Sequence, residues 1–121
     1  MVMMVLAKKF VSNTFDLSGD YWYVANMKFA NGGGVTLGGS HNILEGCDFY
    51  GHSNSGLSVS RTDGSNKKAD WPSYNQIINC NAYNNSDKSQ NNADGFAAKL
   101  TCGEGNVFKG CIAAYNADDG W

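Results

Sequence analysis

The sequence contains little proline, little charge and no long apolar run, and the last two shortages each exclude a class of protein. It has 121 residues, one proline, 17% charged residues and a formal net charge of −2. That balance argues against a basic nucleic-acid-binding protein. The longest apolar run, 1–7, is much shorter than the roughly 20 residues that span a bilayer. No basic segment precedes the run and no small-residue cleavage site follows it, so it is a poor export signal.

Helical periodicity and metal-type cysteine spacing are also missing. Glycine and asparagine, with fifteen residues each, are poor helix formers, whereas short segments such as 56–60 alternate as strands do. The four cysteines include no C-x-x-C pair, and His41 and His52 are not spaced against them like zinc ligands. A disulfide framework would require an exported chain. We therefore expect buried free thiols, and we interpret the two histidines as loop or turn residues.

The sequence does contain a repeat. Four segments align on one apolar anchor each, namely Met27, Cys47, Cys80 and Cys111. A glycine opens a second short strand 7 to 15 residues after each anchor, at Gly34, Gly56, Gly95 and Gly120. The strands keep their pattern while the connecting loops vary in length, which is typical of a solenoid with loops inserted on one face.

Short strands in repeats of at least 20 residues, without helix potential, predict an all-β fold, the parallel β-helix. Equivalent residues of successive coils then form columns with a spacing of about 4.8 Å. We expect the three anchor cysteines inside the coils and a turn column of amides, bonded from coil to coil, at Asn42, Asn75 and Asn106. Residues 15–121 would form about four coils of a longer helix, with 1–14 a poorly defined N-terminal segment. We also expect no cap of the kind that normally closes a solenoid at either end of residues 1–121.

Three aspartates stand out in this register. Because Gly95 and Gly120 are equivalent in the repeat, Asp94 and Asp119 would lie one coil apart in one column, with Asp118 beside them. Carboxylates so placed repel each other unless a cation lies between them, and hard oxygen ligands suit Ca²⁺. Asp-Gly is also common turn chemistry, so the repeat alone leaves a metal site and plain turns equally open.

The run ADGFAAKLTCGEGNVFKGCIAAYNADDGW, residues 93–121, resembles the core of family 9 polysaccharide lyases of the pectate lyase L type. The similarity extends to 16–24, 41–61, 71–73 and 78–80. It implies a right-handed parallel β-helix. It also implies a secreted enzyme of pectin degradation, which cleaves pectate or polygalacturonate by β-elimination with bound Ca²⁺.

Position by position, the resemblance implies that Asp94, Asp118 and Asp119 are calcium ligands. The family's fourth ligand follows the DDGW motif by one residue, and its catalytic lysine lies some coils further on. Both match positions after Trp121. The resemblance therefore assigns no catalytic residue within this chain, and Lys99 does not match the base.

Two cationic residues are candidates for binding the substrate. Strand alternation after Asp94 points Phe96, Ala98 and Leu100 inward. It points Lys99 outward, so Lys99 would meet a substrate carboxylate. Arg61, the only arginine, opens the polar loop 60–73, and its guanidinium suits a bidentate carboxylate contact. In the same loop, Trp71 and the proline after it would pin the loop to the coils.

Three functions remain open at this point. The first is a piece of a calcium-dependent pectate lyase that acts on an acidic polysaccharide, with no role for nucleic acid or a membrane. The second is a non-catalytic carbohydrate-binding or structural β-helix module. The third is a uronate epimerase on the same fold, because epimerisation also begins by removing the C5 proton. The aspartate cluster inside a family-like frame favours the lyase.

Overall fold

The strands of this protein form three parallel sheets that together make a β-helix. A computed structural model describes residues 2–5, 9–11 and 14–121. The first sheet contains β1 (Val2–Val5), β4 (Trp22–Ala25), β7 (Ile43–Glu45), β10 (Gln76–Ile78) and β13 (Val107–Lys109). The second contains β2 (Lys9–Val11), β5 (Lys28–Ala30), β8 (Asp48–Tyr50), β11 (Asn81–Tyr83) and β14 (Ile112–Ala114). The third contains β3 (Phe15–Leu17), β6 (Val35–Leu37), β9 (Leu57–Val59) and β12 (Phe96–Ala98).

Each strand pairs in parallel with the strand of the same sheet in the neighbouring coil. The described residues thus trace four complete coils of three strands and two strands of a fifth, as the repeat predicts. Within the segment 1–14, β1 pairs with β4 and β2 pairs with β5. Residues 1, 6–8 and 12–13 of that segment lie outside the described residues. The one helical element described is a turn of 3-10 helix, Lys68–Asp70.

The interior is built from columns of like side chains. Phe29 and Phe49 occupy paired positions of β5 and β8, and their rings stack with centroids 5.5 Å apart. Leu44 and Ile77 are likewise paired and buried in the first sheet. The inward position of Phe49 holds Ala82 and Ala113 in the next two coils, so each coil contributes an apolar side chain to the core at this position.

The cysteine column forms as predicted. Cys47 and Cys80 are completely buried, and Cys111 is partly covered in the fifth coil. Within residues 14–121 all four cysteines are free thiols. The Cys80 Sγ contacts the Leu44 carbonyl at 3.5 Å, one coil below. Hydrogen bonding with Cys47 and burial raise the pKa of the Cys80 thiol, which keeps it protonated and unreactive.

The predicted amide column also forms. The Asn42 N–H donates to the Asn75 Oδ1 at 2.9 Å, and the Asn75 N–H donates to the Asn106 Oδ1 at 3.0 Å. The Asn75 Nδ2 donates in turn to the Gly39 carbonyl at 2.9 Å and to the Asn106 Oδ1 at 2.9 Å. An amide both donates and accepts, so a column of amides satisfies itself from coil to coil.

A second column of this kind was not predicted. It contains His52, Asn85 and Asn116, and the His52 N–H donates to the Asn85 Oδ1 at 3.1 Å. The His52 Nδ1 accepts from the Gly32 and Gly34 N–H groups, and the Nε2 lies 3.0 Å from the Phe29 carbonyl. His52 thus lies in a turn and is a buried member of this column. Its hydrogen bonds require the neutral ring with the proton on Nε2.

The turn between the first and second sheets explains part of the glycine and asparagine content. Asn26, Gly46, Asn79 and Gly110 occupy equivalent turns, and all four have φ between 51° and 65°. This left-handed conformation is accessible mainly to glycine and asparagine. At Gly46 a Cβ atom would also lie 2.7 Å from the Asn26 Oδ1, so the close stacking of these turns requires glycine there.

Candidate functional site

The candidate site lies at the turn that leads into the third sheet. The Gly56 N–H bonds to the Asp94 carbonyl at 3.0 Å, and the Gly95 N–H bonds to the Asp119 carbonyl at 2.9 Å. The residue before each repeat glycine therefore stacks in one column, which runs from Ser55 through Asp94 to Asp119. The equivalence of the two aspartates in successive coils is confirmed, and Asp118 precedes the second of them.

Gly95 permits this stacking. A Cβ atom at this position would lie 2.7 Å from the Gly120 carbonyl oxygen and 2.8 Å from the Ala113 Cβ. Any side chain here would push away the coil that carries Asp118 and Asp119. The absence of a Cβ at Gly95 thus keeps those two carboxylates within reach of Asp94.

Three carboxylates converge at this turn. Asp94, Asp118 and Asp119 each offer an oxygen, and these atoms lie within 4.8 Å of one another. Asp94 is buried, with 3% of its surface exposed, whereas the other two are open to solvent. Ligand oxygens at 2.3–2.6 Å from one Ca²⁺ are at most about 5 Å apart. The spacing and the hard oxygen donors therefore fit a single calcium ion.

A lysine already occupies part of this cluster. The Lys99 Nζ lies 2.7 Å from the Asp94 Oδ2. The hydrogen bond to Asp94 raises the pKa of the Lys99 ammonium above its ordinary value of 10.5, and the charges of Asp118 and Asp119 act in the same direction. Lys99 is exposed as predicted, but its ammonium binds the candidate metal ligand.

The orientation predicted for Leu100 is wrong. Strand alternation would point its side chain into the core, whereas 89% of its surface is exposed. β12 ends at Ala98, and Leu100 has a φ of 61°. Because the chain turns away from the strand at this point, the inward alternation ends before Leu100. Phe96 is buried as predicted. Ala98, which was also predicted to face inward, pairs with the buried Val59 but is exposed, because β12 is the last strand described in the third sheet.

An open groove of about 540 Å³ runs beside β9 and β12 and brings Arg61 and Lys99 together. Ser55 and Ser58 contribute to its walls. The Arg61 guanidinium is held by its own loop, because its Nη1 donates to the Ser65 carbonyl and to the Asn66 side chain. Arg61 therefore lies in the groove with its guanidinium hydrogen-bonded to its own loop. The side chain of Lys99, in contrast, is mostly exposed.

The loop that carries Arg61 is fixed to the coils. The Trp71 Nε1 donates to the Ser65 carbonyl at 3.1 Å, and Pro72 is completely buried. The predicted anchoring to the coils is confirmed for Pro72, whose carbonyl accepts from the Gly103 N–H at 2.9 Å and from the Asn106 Nδ2 at 2.8 Å. The Trp71 bond stays within the loop. His41 is exposed and stacks between two tyrosines, with ring centroids 4.8 Å from Tyr21 and 5.4 Å from Tyr74.

Sequence reasoning missed Ser55 as a residue of the site. The Asp94 N–H donates to the Ser55 Oγ at 3.1 Å, and that hydroxyl lies 3.3 Å from the Asn92 carbonyl. Ser55 thereby fixes the backbone that presents the Asp94 carboxylate. The signal was available, because Ser55 precedes Gly56 as Asp94 precedes Gly95.

Residues 3–121 match the sequence model described as "Pel9A-like, right handed beta helix region". The chain belongs to this family. The parallel sheets and this match together establish a right-handed parallel β-helix. Residues 15–121, where sequence analysis predicted the β-helix domain, lie inside the matched region.

The chain is similar to enzymes that act on pectate. It is 56% identical over 109 residues to pectate lyase L of Thermoclostridium stercorarium, with 87% of this chain and 9% of that protein covered. It is 34% identical over 119 residues to the pectate disaccharide-lyase of Dickeya chrysanthemi, with 98% of this chain and 16% of that protein covered. This chain thus spans a small part of the length of these curated relatives.

A solved structure supports the same assignment. The crystal structure of pectate lyase Pel9A superimposes with a TM-score of 0.74 at 38% identity, over 84% of this chain and 24% of that one. Among the residues that our structure describes, no helix combines the length and the hydropathy of a transmembrane span.

Proposed function

We propose that this chain is the calcium-binding part of a pectate lyase, which cleaves pectate or polygalacturonate by β-elimination. The observation that carries the proposal is the convergence of Asp94, Asp118 and Asp119, whose oxygens lie within 4.8 Å of one another. The family resemblance, which implies calcium ligands at these three positions, supports the proposal. The names of the relatives, pectate lyase L and pectate disaccharide-lyase, support the substrate class.

The reaction explains the need for a cation. β-Elimination removes the weakly acidic C5 proton of a uronate and expels the oxygen at C4, which leaves an unsaturated uronide. A bound Ca²⁺ would supply a positive charge that stabilises the negative charge developing on the uronate. Asp94, Asp118 and Asp119 would hold that cation: Asp94 is fixed by burial, and the other two are exposed to solvent.

The proton must be taken by a base, and we propose that the base lies outside residues 1–121. The resemblance assigns it to a lysine further along the family's sequence. The exposed lysine of the site, Lys99, is paired with Asp94 and has a raised pKa, and a protonated amine does not accept a proton. A positioned general base contributes about 10²–10⁴ in rate, so residues 1–121 alone should be inactive.

The groove beside the cluster suits an acidic polymer. Its two cationic residues, Arg61 and Lys99, would face uronate carboxylates, and the serines of its walls would face the sugar hydroxyls. A polymer of this kind is too large to enter a cell, so we propose that the protein acts after secretion.

The proposal is tested by calorimetric titration of the 121-residue chain with Ca²⁺ and by the ultraviolet absorbance of the unsaturated product. We expect calcium binding that Asp119→Asn weakens at least tenfold. Asp16→Asn is the matched control, because Asp16 is exposed on β3, three coils from Asp94 and four from Asp119. We expect no unsaturated product from the 121-residue chain with polygalacturonate.

Two outcomes would contradict the proposal. Equal calcium affinity of the two aspartate variants would refute the metal site. Calcium-dependent product formation by the chain alone would place the base within it, and Lys99→Met would then be the first variant to assay. An extended chain that carries the later coils should form the unsaturated product, whereas a change of C5 configuration without that product would indicate an epimerase.

A further inference from the structure

The pair formed by Lys99 and Asp94 joins a buried anion to an exposed cation. The side chain of Asp94 is 4% exposed and that of Lys99 is 60% exposed, and the charged atoms are 2.7 Å apart. A buried carboxylate is costly unless it is paired. The lysine therefore supplies the positive charge that the buried aspartate needs in the cation-free protein.

The ammonium occupies one of the two oxygens that Asp94 can offer to a metal ion. The Asp94 Oδ2 binds the Lys99 Nζ, while the Oδ1 faces the Asp119 N–H at 3.4 Å. A calcium ion at the three aspartates and an ammonium on Oδ2 would be two cations within a few ångströms of each other, which repel. The two therefore compete for Asp94.

The lysine is free to leave without disturbing the core. Lys99 follows the last residue of β12, and the chain turns at Leu100. The departing side chain thus breaks no strand pairing. It also lines the groove beside β9 and β12, where its ammonium would point toward a bound polymer.

We propose that Lys99 is an exchangeable counter-ion of the metal site: it neutralises Asp94 in the cation-free protein, leaves when calcium binds, and then pairs with a uronate carboxylate in the groove. This inference rests on the proposed function. It makes Lys99 a positioning residue, which couples occupation of the metal site to substrate binding, and it gives Lys99 no role as the base.

The first test compares calcium affinities by calorimetry, in the whole 121-residue chain, for wild type, Lys99→Met and Lys99→Arg. We expect Lys99→Met to bind Ca²⁺ about tenfold more tightly, because a competing charge is removed, and Lys99→Arg to resemble wild type. Lys28→Met is the matched control, since Lys28 is exposed on β5 and its loss changes the net charge equally. Equal or weaker binding by Lys99→Met, relative to Lys28→Met, would overturn the inference.

The second test measures thermal unfolding with and without Ca²⁺. Lys99→Met should lower the melting temperature of the cation-free protein, because Asp94 loses its partner, and saturating Ca²⁺ should abolish the difference from wild type. A difference that persists at saturation would show a purely structural lysine and would overturn the exchange.

The third test titrates trigalacturonate into the calcium-loaded protein. We expect weaker binding by Lys99→Met and unchanged binding by Lys28→Met, and equal binding by the two would overturn the transfer of Lys99 to the substrate. Failure of the proposed function is distinguishable, because wild type and Asp119→Asn would then bind calcium equally poorly.

Discussion

The amide column and the aspartate column of this β-helix both stack equivalent residues of successive coils. They differ in whether their side chains can hydrogen-bond to one another. Asn42, Asn75 and Asn106 stack in successive coils and bond directly to one another. Asp94 and Asp119 also stack in successive coils, but two carboxylates cannot donate hydrogen bonds to each other. A column of amides therefore stabilises the fold by itself, whereas a column of acids needs a cation from elsewhere.

The difference shows how a repeat protein gains a site without changing its scaffold. One coil before Asp94 the same column position holds Ser55, whose hydroxyl contacts the backbone of Asp94. At this column position two successive coils carry an acid in place of a side chain that hydrogen-bonds within the scaffold. The two acids concentrate negative charge at the turn before the third sheet. Lys99 neutralises part of that charge in the structure described here.

The largest effect is expected from breaking the amide column at its centre. Asn75→Ala removes the acceptor of the Asn42 N–H and two donated hydrogen bonds, all at a completely buried position. Because buried groups are left unsatisfied, we expect unfolding in urea to require about 3 kcal/mol less free energy. Asn91→Ala, in an exposed loop, is the control and should change stability little. Similar losses in both variants would show that the column does not carry this stability.

A second variant makes the acidic column resemble the amide column. Asp94→Asn removes the buried charge and adds a donor, so the cation-free protein should unfold at an equal or higher urea concentration. The same change should abolish stabilisation by Ca²⁺, which for a site at 100-fold excess over Kd is about 2.7 kcal/mol. Melting curves with and without Ca²⁺ measure both effects. A strong loss of cation-free stability would mean that the ion pair with Lys99 stabilises the fold more than the buried charge destabilises it.

The smallest effect concerns the histidine that replaces an amide in the second column. Burial lowers the pKa of His52 from its ordinary 6.5, because removing the ring from water disfavours its charged form. A protonated Nδ1 would also be unable to accept from the Gly32 and Gly34 N–H groups. The stabilisation from neutral His52 is complete above pH 6.5 and declines as the pH falls below that value toward the lowered pKa. Unfolding free energies between pH 7.5 and pH 5 would measure the decline.

His52→Asn sharpens the same comparison, because asparagine is the residue at the equivalent positions Asn85 and Asn116. This variant should fold and lose the decline in stability below pH 6.5. His41→Asn, at the exposed histidine, is the matched control and should keep it. A decline that survives in His52→Asn would have to come from another group.

Much of the candidate site was predictable because a solenoid converts sequence register into spatial proximity. The glycines at 95 and 120 place Asp94 and Asp119 in successive coils, and the structure has the backbone bonds that this requires. The same register would have identified Ser55. His52 was not recognised as a column residue because asparagine, and not histidine, defined the pattern.

The sequence by itself determined the parallel β-helix, the cysteine and amide columns and the meeting of the aspartates. Each of these depends on one periodicity, which stacking of successive coils turns into contacts. Only the tertiary structure decided that Lys99 binds Asp94, that Arg61 is held by its own loop and that Leu100 points outward. These features lie where a strand ends and a loop begins, and there the local backbone direction, which the repeat does not encode, sets the position of the side chain.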